Sequence, residues 1–145
     1  MTRILSKLET EAIDDARFVR LINPFIFESG ILREAGLQSW VEVPAGFICD
    51  FESIPLFRGT SKRGGTAHDY LSRYDSVPVV TKEIAAKVYL EIMAYRDGLM
   101  ENDSLPLKSW RFIRRWGKYG VVRVWPKYFH RLPVMADYED VVRAA

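Results

Sequence analysis

One cysteine, Cys49, and two histidines are all that 145 residues provide of the usual metal and redox side chains. A lone cysteine forms no intrachain disulfide, so the fold needs no oxidising compartment. Alternating with Phe47 and Phe51, Cys49 reads as a small buried hydrophobe. Zinc takes three or four His and Cys ligands, and only His68, His130 and Cys49 are on offer. No stretch approaches the ~18 apolar residues of a membrane span. The N-terminal MTRILSKLETEAIDD has no long apolar run before its acidic residues, which argues against a secretory signal. The expected location is therefore the cytoplasm in which the chain is made, unless an assembly carries it elsewhere. There is no internal repeat, no low-complexity linker, no Gly-x-Ser-x-Gly around Ser53 and no recognised nucleic-acid motif.

What is present suits one globular domain spanning 1–145. Apolar residues make up 48% and charged residues 28%, and the aromatics include four Trp, seven Tyr and eight Phe. A chain this long can bury roughly 68–70% of its unfolded surface without staples. The first half reads as strands. Arg17–Ile22 and Pro24–Glu28 are rich in β-branched and aromatic residues, and Pro24 between them marks an edge or a bend. Ser39–Val43 alternates, with Val41 and Val43 on one face. Pro44, Ala45 and Gly46 form a turn, and Phe47–Phe51 alternates again, placing Asp50 opposite Phe47, Cys49 and Phe51. Helices follow. Gly64 and Gly65 lead into a short one over about Thr66–Tyr74. Thr81 caps another, whose inner face is Ile84, Ala85, Val88, Tyr89, Ile92 and Met93 and which Gly98 stops. Ser104 and Pro106 start a third, with an inner stripe of Leu107, Trp110, Ile113, Gly117, Gly120 and Val121; its glycines mark a break or a close approach. Antiparallel strands first and about three helices afterwards make an α+β fold.

The residues able to carry chemistry are Asp50 at a strand end, Ser53 in the loop after it, and the His68-Asp69 pair. His68 at a helix start is a candidate general base. Asp69, about 100° around the helix, does not orient His68 directly. It is placed instead to hold a hard cation such as calcium, with Asp50 and loop carbonyls. No motif requires a cofactor. A Ser53-His68-Asp50 triad is a further arrangement. The plainer reading of the pair is capping and packing, with an Asp in the first turn complementing the helix dipole.

The stretch VPAGFICDFESIP, then AHDYLSRY, then TKEIAAKVYLEIM, resembles the phage-associated family catalogued as domain of unknown function 1353, over about residues 17–120. Its pattern is a VPxGFxTDxxSxP strand and turn, an HDYLY helix and a helix of the ADxxFxxxM kind; Ser72 stands here where the family commonly has Tyr. The resemblance implies a tailed-bacteriophage or prophage origin and no assigned activity. More locally, a His-Asp helix followed by another helix is similar to phospholipase A2. That likeness implies His68 as base and Asp69 as calcium ligand, with a later Asp orienting the histidine. The orienting position falls on Ala86, or on Ala85 one register away, and alanine accepts no imidazole N–H. Loss of such an orienter costs about 10⁴ in rate in the serine-protease case, so the site implied is an impaired one.

The C-terminal third is uneven in charge. Residues 108–131 hold Lys108, Arg111, Arg114, Arg115, Lys118, Arg123, Lys127 and Arg131 without one Asp or Glu, interleaved with Trp110, Trp116, Tyr119, Trp125, Tyr128 and Phe129. Asp137, Glu139 and Asp140 then reverse the sign. Trp116, Trp125, Tyr128, Arg115 and Arg123 are the candidates for a protein interface, where Trp, Tyr and Arg are enriched. Single-stranded nucleic acid or a membrane surface would use the same residue types, and a solvated face with tryptophans inside is the plain alternative. The expectation is a phage-encoded, virion- or tail-associated structural or assembly component, acting through other phage proteins and carrying an impaired hydrolase-like site. The rivals are a metal-assisted hydrolase acting on lipid or cell wall during entry or lysis, and a small protein that interferes with a host factor.

Overall fold

The computed structural model describes residues 1–13, 18–50, 62–98, 112–117, 119–120 and 131–144. Two three-stranded antiparallel sheets come first in the chain, and most of the helices follow, giving a mixed α+β fold. The first sheet runs β1 (Arg3–Ile4), β4 (Phe25–Glu28), β5 (Trp40–Val43). The second runs β2 (Thr10–Ile13), β3 (Phe18–Leu21), β6 (Ile48–Cys49). Pro24 lies between β3 and β4, at the point where the chain passes from one sheet to the other, because proline cannot supply a ladder N–H. The pairing of β4 with β5 sets Phe25 opposite Val43 and Phe27 opposite Val41, and all four are fully buried. Each such side chain contributes about 1.5–3 kcal/mol by leaving water. Trp40 and Glu42 take the outer face. Gly46 has φ 84°, which a side chain would strain, and its N–H closes the turn onto the Leu21 carbonyl at 2.8 Å.

Among the described residues, α2 (Lys62–Leu71) and α5 (Tyr138–Ala144) pack on β6, and α3 (Lys82–Gly98) packs against α2 and α1 (Gly30–Glu34). A further helical stretch, α4, covers 112–117. The main core joins Phe25, Phe27, Val41, Val43, Phe47 and Cys49 to Ala67, Leu71, Val88 and Ile92 from α2 and α3. A second cluster, Phe18, Ile48, Ala136 and Val141, fills the space between the second sheet and α5. Strand β6 is thus buried on both faces. Helix α5 covers Ile48, and Asp50, which alternation places opposite Phe47 and Cys49, is buried as well.

Three short elements carried too little pattern to be anticipated: β1 has two residues, β2 four and α1 five. Side-chain chemistry defines α1. The Ser29 hydroxyl accepts the Leu32 N–H at its start. At its end Gly36, at φ 72°, lets the Leu37 N–H return to the Leu32 carbonyl at 2.9 Å, a Schellman closure. The α1 N-terminus is also held from 60 residues away. The Glu91 carboxylate of α3 accepts the Ser29 hydroxyl at 2.5 Å, the Gly30 N–H at 2.7 Å and the Ile31 N–H at 3.2 Å. A Cβ on Gly30 would lie 2.9 Å from that carboxylate, so the approach depends on glycine.

The α3 reading holds in detail. Thr81 accepts the Ile84 N–H at 3.3 Å as the N-cap, and Ala85, Val88, Tyr89, Ile92 and Met93 are buried. The α2 reading is corrected at its start. The helix begins at Lys62 rather than near Thr66, and Gly64 and Gly65 are buried inside its first turn instead of leading into it. Two glycines read as a loop from propensity alone, but here tertiary packing overrides propensity. The α4 reading is corrected in its facing. Ile113, Gly117 and Gly120, assigned to an inner stripe, are exposed, and a Cβ on either glycine would meet nothing within 4 Å. Leu107, Trp110 and Val121 lie outside the described residues, as does Phe51.

The turn between α2 and α3 includes a cis Val77–Pro78 bond, and the Val77 N–H donates to the Tyr70 hydroxyl at 3.1 Å. Burial pushes the Tyr70 hydroxyl above its ordinary value of 10.0; the Val77 bond pulls it back, and the charges of Asp75 and Glu42 push it further up.

Two outcomes follow from these contacts. Glu91→Ala removes an anionic acceptor from three donors and is expected to lower stability by about 2–3 kcal/mol, read from the urea midpoint. The raised Tyr70 value means the folded state holds the phenolic proton more tightly than the unfolded chain does. Its stabilisation is complete below pH 10 and is lost as pH rises through the folded value. Urea midpoints measured upward from that pH should fall less steeply for Tyr70→Phe than for the parent chain.

Candidate functional site

Helix α2 is buried along most of its length, and its inner side is polar. Thr66, His68 and Asp69 lie within it, and Ser72 and Arg73 follow directly; all five are buried. Two of the hydroxyls are satisfied locally. Thr66 donates to the Lys62 carbonyl at 2.9 Å and Ser72 to the His68 carbonyl at 2.7 Å, the back-bonding open to Ser and Thr on a helix. Thr66 also lies 3.8 Å from the buried Cys49 sulfur, which fits the cysteine's reading as a core residue.

His68 is 5% exposed and Asp69 0%. The His68 Nδ1 lies 3.6 Å from the Asp69 Oδ1, an ion-pair separation that is too long for a hydrogen bond. The two side chains are thus close, although adjacent positions on a helix point apart. The histidine ring meets Tyr89 of α3 edge-on at 6.0 Å. Tyr89 stands one helical turn after Ala86, which is buried, so an aromatic edge faces His68 near the position where the phospholipase likeness expects a carboxylate.

The pair does not sit at a helix start. His68 is the seventh of ten residues in α2, and the first turn holds no acidic residue. The dipole argument for Asp69 therefore reverses: near a helix C-terminus a carboxylate is disfavoured, typically by 0.3–1 kcal/mol at exposed sites. The compensating charge is Arg73, four residues beyond Asp69, a residue the motif search passed over. Its guanidinium donates to the Ile48 carbonyl of β6 at 3.0 Å and lies 5.2 Å over the Phe47 ring. Burial pushes its pKa below the ordinary guanidinium value. Asp69 is the strongest influence in the opposite direction, followed by Cys49, Asp50 and Asp75. A guanidinium stays charged through shifts of this kind.

Asp69 and Asp50 thus both favour the charged form of the buried Arg73, and His68 lies beside Asp69. Ser53 lies outside the described residues, so its place in a triad has no geometry to describe. For calcium, Asp50 and Asp69 supply oxygens, but the ion takes 6–8 of them. Among the described residues no three His, Cys, Asp or Glu side chains come together as a ligand set. The loop carbonyls that the calcium expectation adds to Asp50 and Asp69 lie outside the described residues.

Of the interface candidates, Trp116 and Arg115 are described. Trp116 is 47% exposed, with Phe112 at 54% and Ile113 at 62% beside it. Arg115 lies 5.6 Å over the Phe112 ring. Trp125, Tyr128 and Arg123 fall outside the described residues.

Removing the guanidinium takes away a buried cation whose charge Asp69 and Asp50 favour, and with it the donor to the Ile48 carbonyl. Arg73→Leu is expected to cost about 3–5 kcal/mol, the usual result of breaking a buried pair from one side. Arg73→Lys should recover only part of it, because an ammonium lacks the planar fork. Urea denaturation at neutral pH measures both; equal stability of all three chains would remove Arg73 from the centre of the cluster.

No protein-family model, no curated protein and no solved structure matches the chain.

Proposed function

We propose that the chain is a phage-encoded structural or assembly component, associated with the virion or its tail, that works through contacts with other phage proteins. The observation that carries this reading is the open face of α4. Phe112, Ile113 and Trp116 are exposed side by side, and Arg115 stacks over Phe112. Contiguous exposed aromatics are uncommon on monomers and mark contact surfaces, and Trp and Arg are the residues most often dominant at interface centres. The phage setting comes from the family resemblance of the VPAGFICDFESIP and AHDYLSRY stretches.

The buried cluster supports the same reading. A general base must reach its substrate's proton directly or through one water, and His68 is almost wholly enclosed. With alanine at the orienting position and Arg73 drawing on both carboxylates, the cluster is better suited to joining α2 to β6 than to turnover. A metal-assisted hydrolase draws on the same gathering of Asp50, His68 and Asp69. It would need further oxygen ligands and a path for substrate to His68.

Mass spectrometry of purified virions tests the proposal. The chain should be present at a fixed copy number, and Trp116→Ala should lower its incorporation, since truncating a contact anchor costs about 2 kcal/mol or more. A chain abundant in infected cells but absent from virions would overturn the proposal.

A further inference from the structure

We propose that the open face of α4 docks on the acidic end of a second copy of this chain, so that two copies associate as a two-fold pair. The inference rests on reading α4 as a protein-contact face and names its partner. Charge is the first argument. Residues 104–136 hold eight of the 21 Lys and Arg and none of the 19 Asp and Glu, while the rest of the chain holds thirteen basic against nineteen acidic residues. One segment is thus uniformly positive, and the remainder of the molecule is its complement in sign.

The complementary surface is specific. Around α5, Asp137, Glu139 and Asp140 are exposed within four positions. Arg143 answers part of that charge, 3.7 Å from Glu139 and 4.0 Å from Asp140. Two apolar side chains, Met135 and Val142, are exposed along the same short stretch. The α4 side offers the reverse: apolar Phe112, Ile113 and Trp116 beside half-exposed Arg114 and Arg115. Phe112, Ile113 and Trp116 on one surface and Met135, Asp137, Glu139, Asp140 and Val142 on the other are all exposed. A two-fold pair places each α4 on the partner's α5, so one symmetric contact covers both surfaces twice and closes without free ends.

Other polyanions fit less of this. Single-stranded nucleic acid uses aromatic faces as stacking platforms. Here Trp116 meets Tyr119 edge-on at 5.6 Å and Phe112 at 6.1 Å, and the Phe112 face is overlain by Arg115. An anionic bilayer would satisfy the basic face but leave the acidic surface at α5 uncovered.

The experiment is sedimentation velocity on the full chain at about 50 mM and about 500 mM salt, a range over which surface charge pairing is progressively screened. Concentration-dependent dimers are expected at low salt, with an apparent Kd weakened about tenfold or more at high salt. Trp116→Ala should weaken association about tenfold or more. Arg114→Glu with Arg115→Glu in one chain, or Glu139→Lys with Asp140→Lys in another, should each give monomers, and mixing the two should restore a heterodimer. Circular dichroism melts of the variants keep folding separate from docking, since all these side chains are at least partly exposed.

A parent chain that stays monomeric at about 100 μM in low salt overturns the inference. So do reversed variants that still pair. Parallel titrations use phosphatidylcholine–phosphatidylglycerol vesicles and oligothymidine. If either binds a monomeric chain through Trp116, α4 belongs to that polyanion and the inference fails. Absence from virions would sink the proposed function while leaving self-association readable in the purified chain. A monomer found in virions would do the opposite.

Discussion

The Arg73 guanidinium is the group on which the interior depends. A buried positive charge is expensive unless it is paired and hydrogen-bonded, and this one draws its partners from several parts of the chain. The Ile48 carbonyl comes from β6, the Phe47 ring from the turn before it, and carboxylate charge from Asp69 in α2, Asp50 after β6 and Asp75 in the following turn. The helix that carries His68 and Asp69 is therefore docked on the second sheet by a polar clasp as well as by Ala67 and Leu71 in the core. This also explains how a carboxylate can sit near the C-terminal end of α2, where the helix dipole opposes it.

A second long-range polar contact repeats the principle at the first sheet. Glu91 reaches from α3 to the N-terminus of α1, where three donors converge on one carboxylate. The dipole favours that placement. Together the two contacts fix α2 and α3 against the sheets at points where apolar packing alone would allow sliding. The apolar part is divided. The main core lies between the sheets and the α2–α3 pair, and the smaller cluster under α5 seals the other face of β6. The interior thereby leaves α4 outside it, with aromatic side chains in water and basic residues beside them.

Much of the scaffold was legible in residue pattern. Alternation at Val41 and Val43 and the period of Ala85, Val88, Tyr89 and Ile92 gave the correct buried faces, because both follow from fixed backbone geometry. Pro24 marked the passage between the sheets, and Thr81 marked the α3 cap. The elements that went unseen, β1, β2 and α1, are too short for any period to show. They exist because β4, β3 and Glu91 hold them. The start of α2 was misplaced for a related reason: Gly64 and Gly65 have poor helix propensity, and their burial in the packed interior outweighs it.

The candidate site divides along the same line. The sequence by itself determined the α+β order and the inward faces of its longer elements. These are local consequences of side-chain type and backbone period. Only the tertiary structure decided that the pair lies late in α2, that Arg73 is buried against Ile48 and Phe47, and that Tyr89 faces the imidazole where a carboxylate was sought. It also decided that Ile113 and Trp116 look outward. A helical period says which residues share a face. Which face meets a neighbour depends on packing between segments far apart in the chain, and no local pattern encodes that.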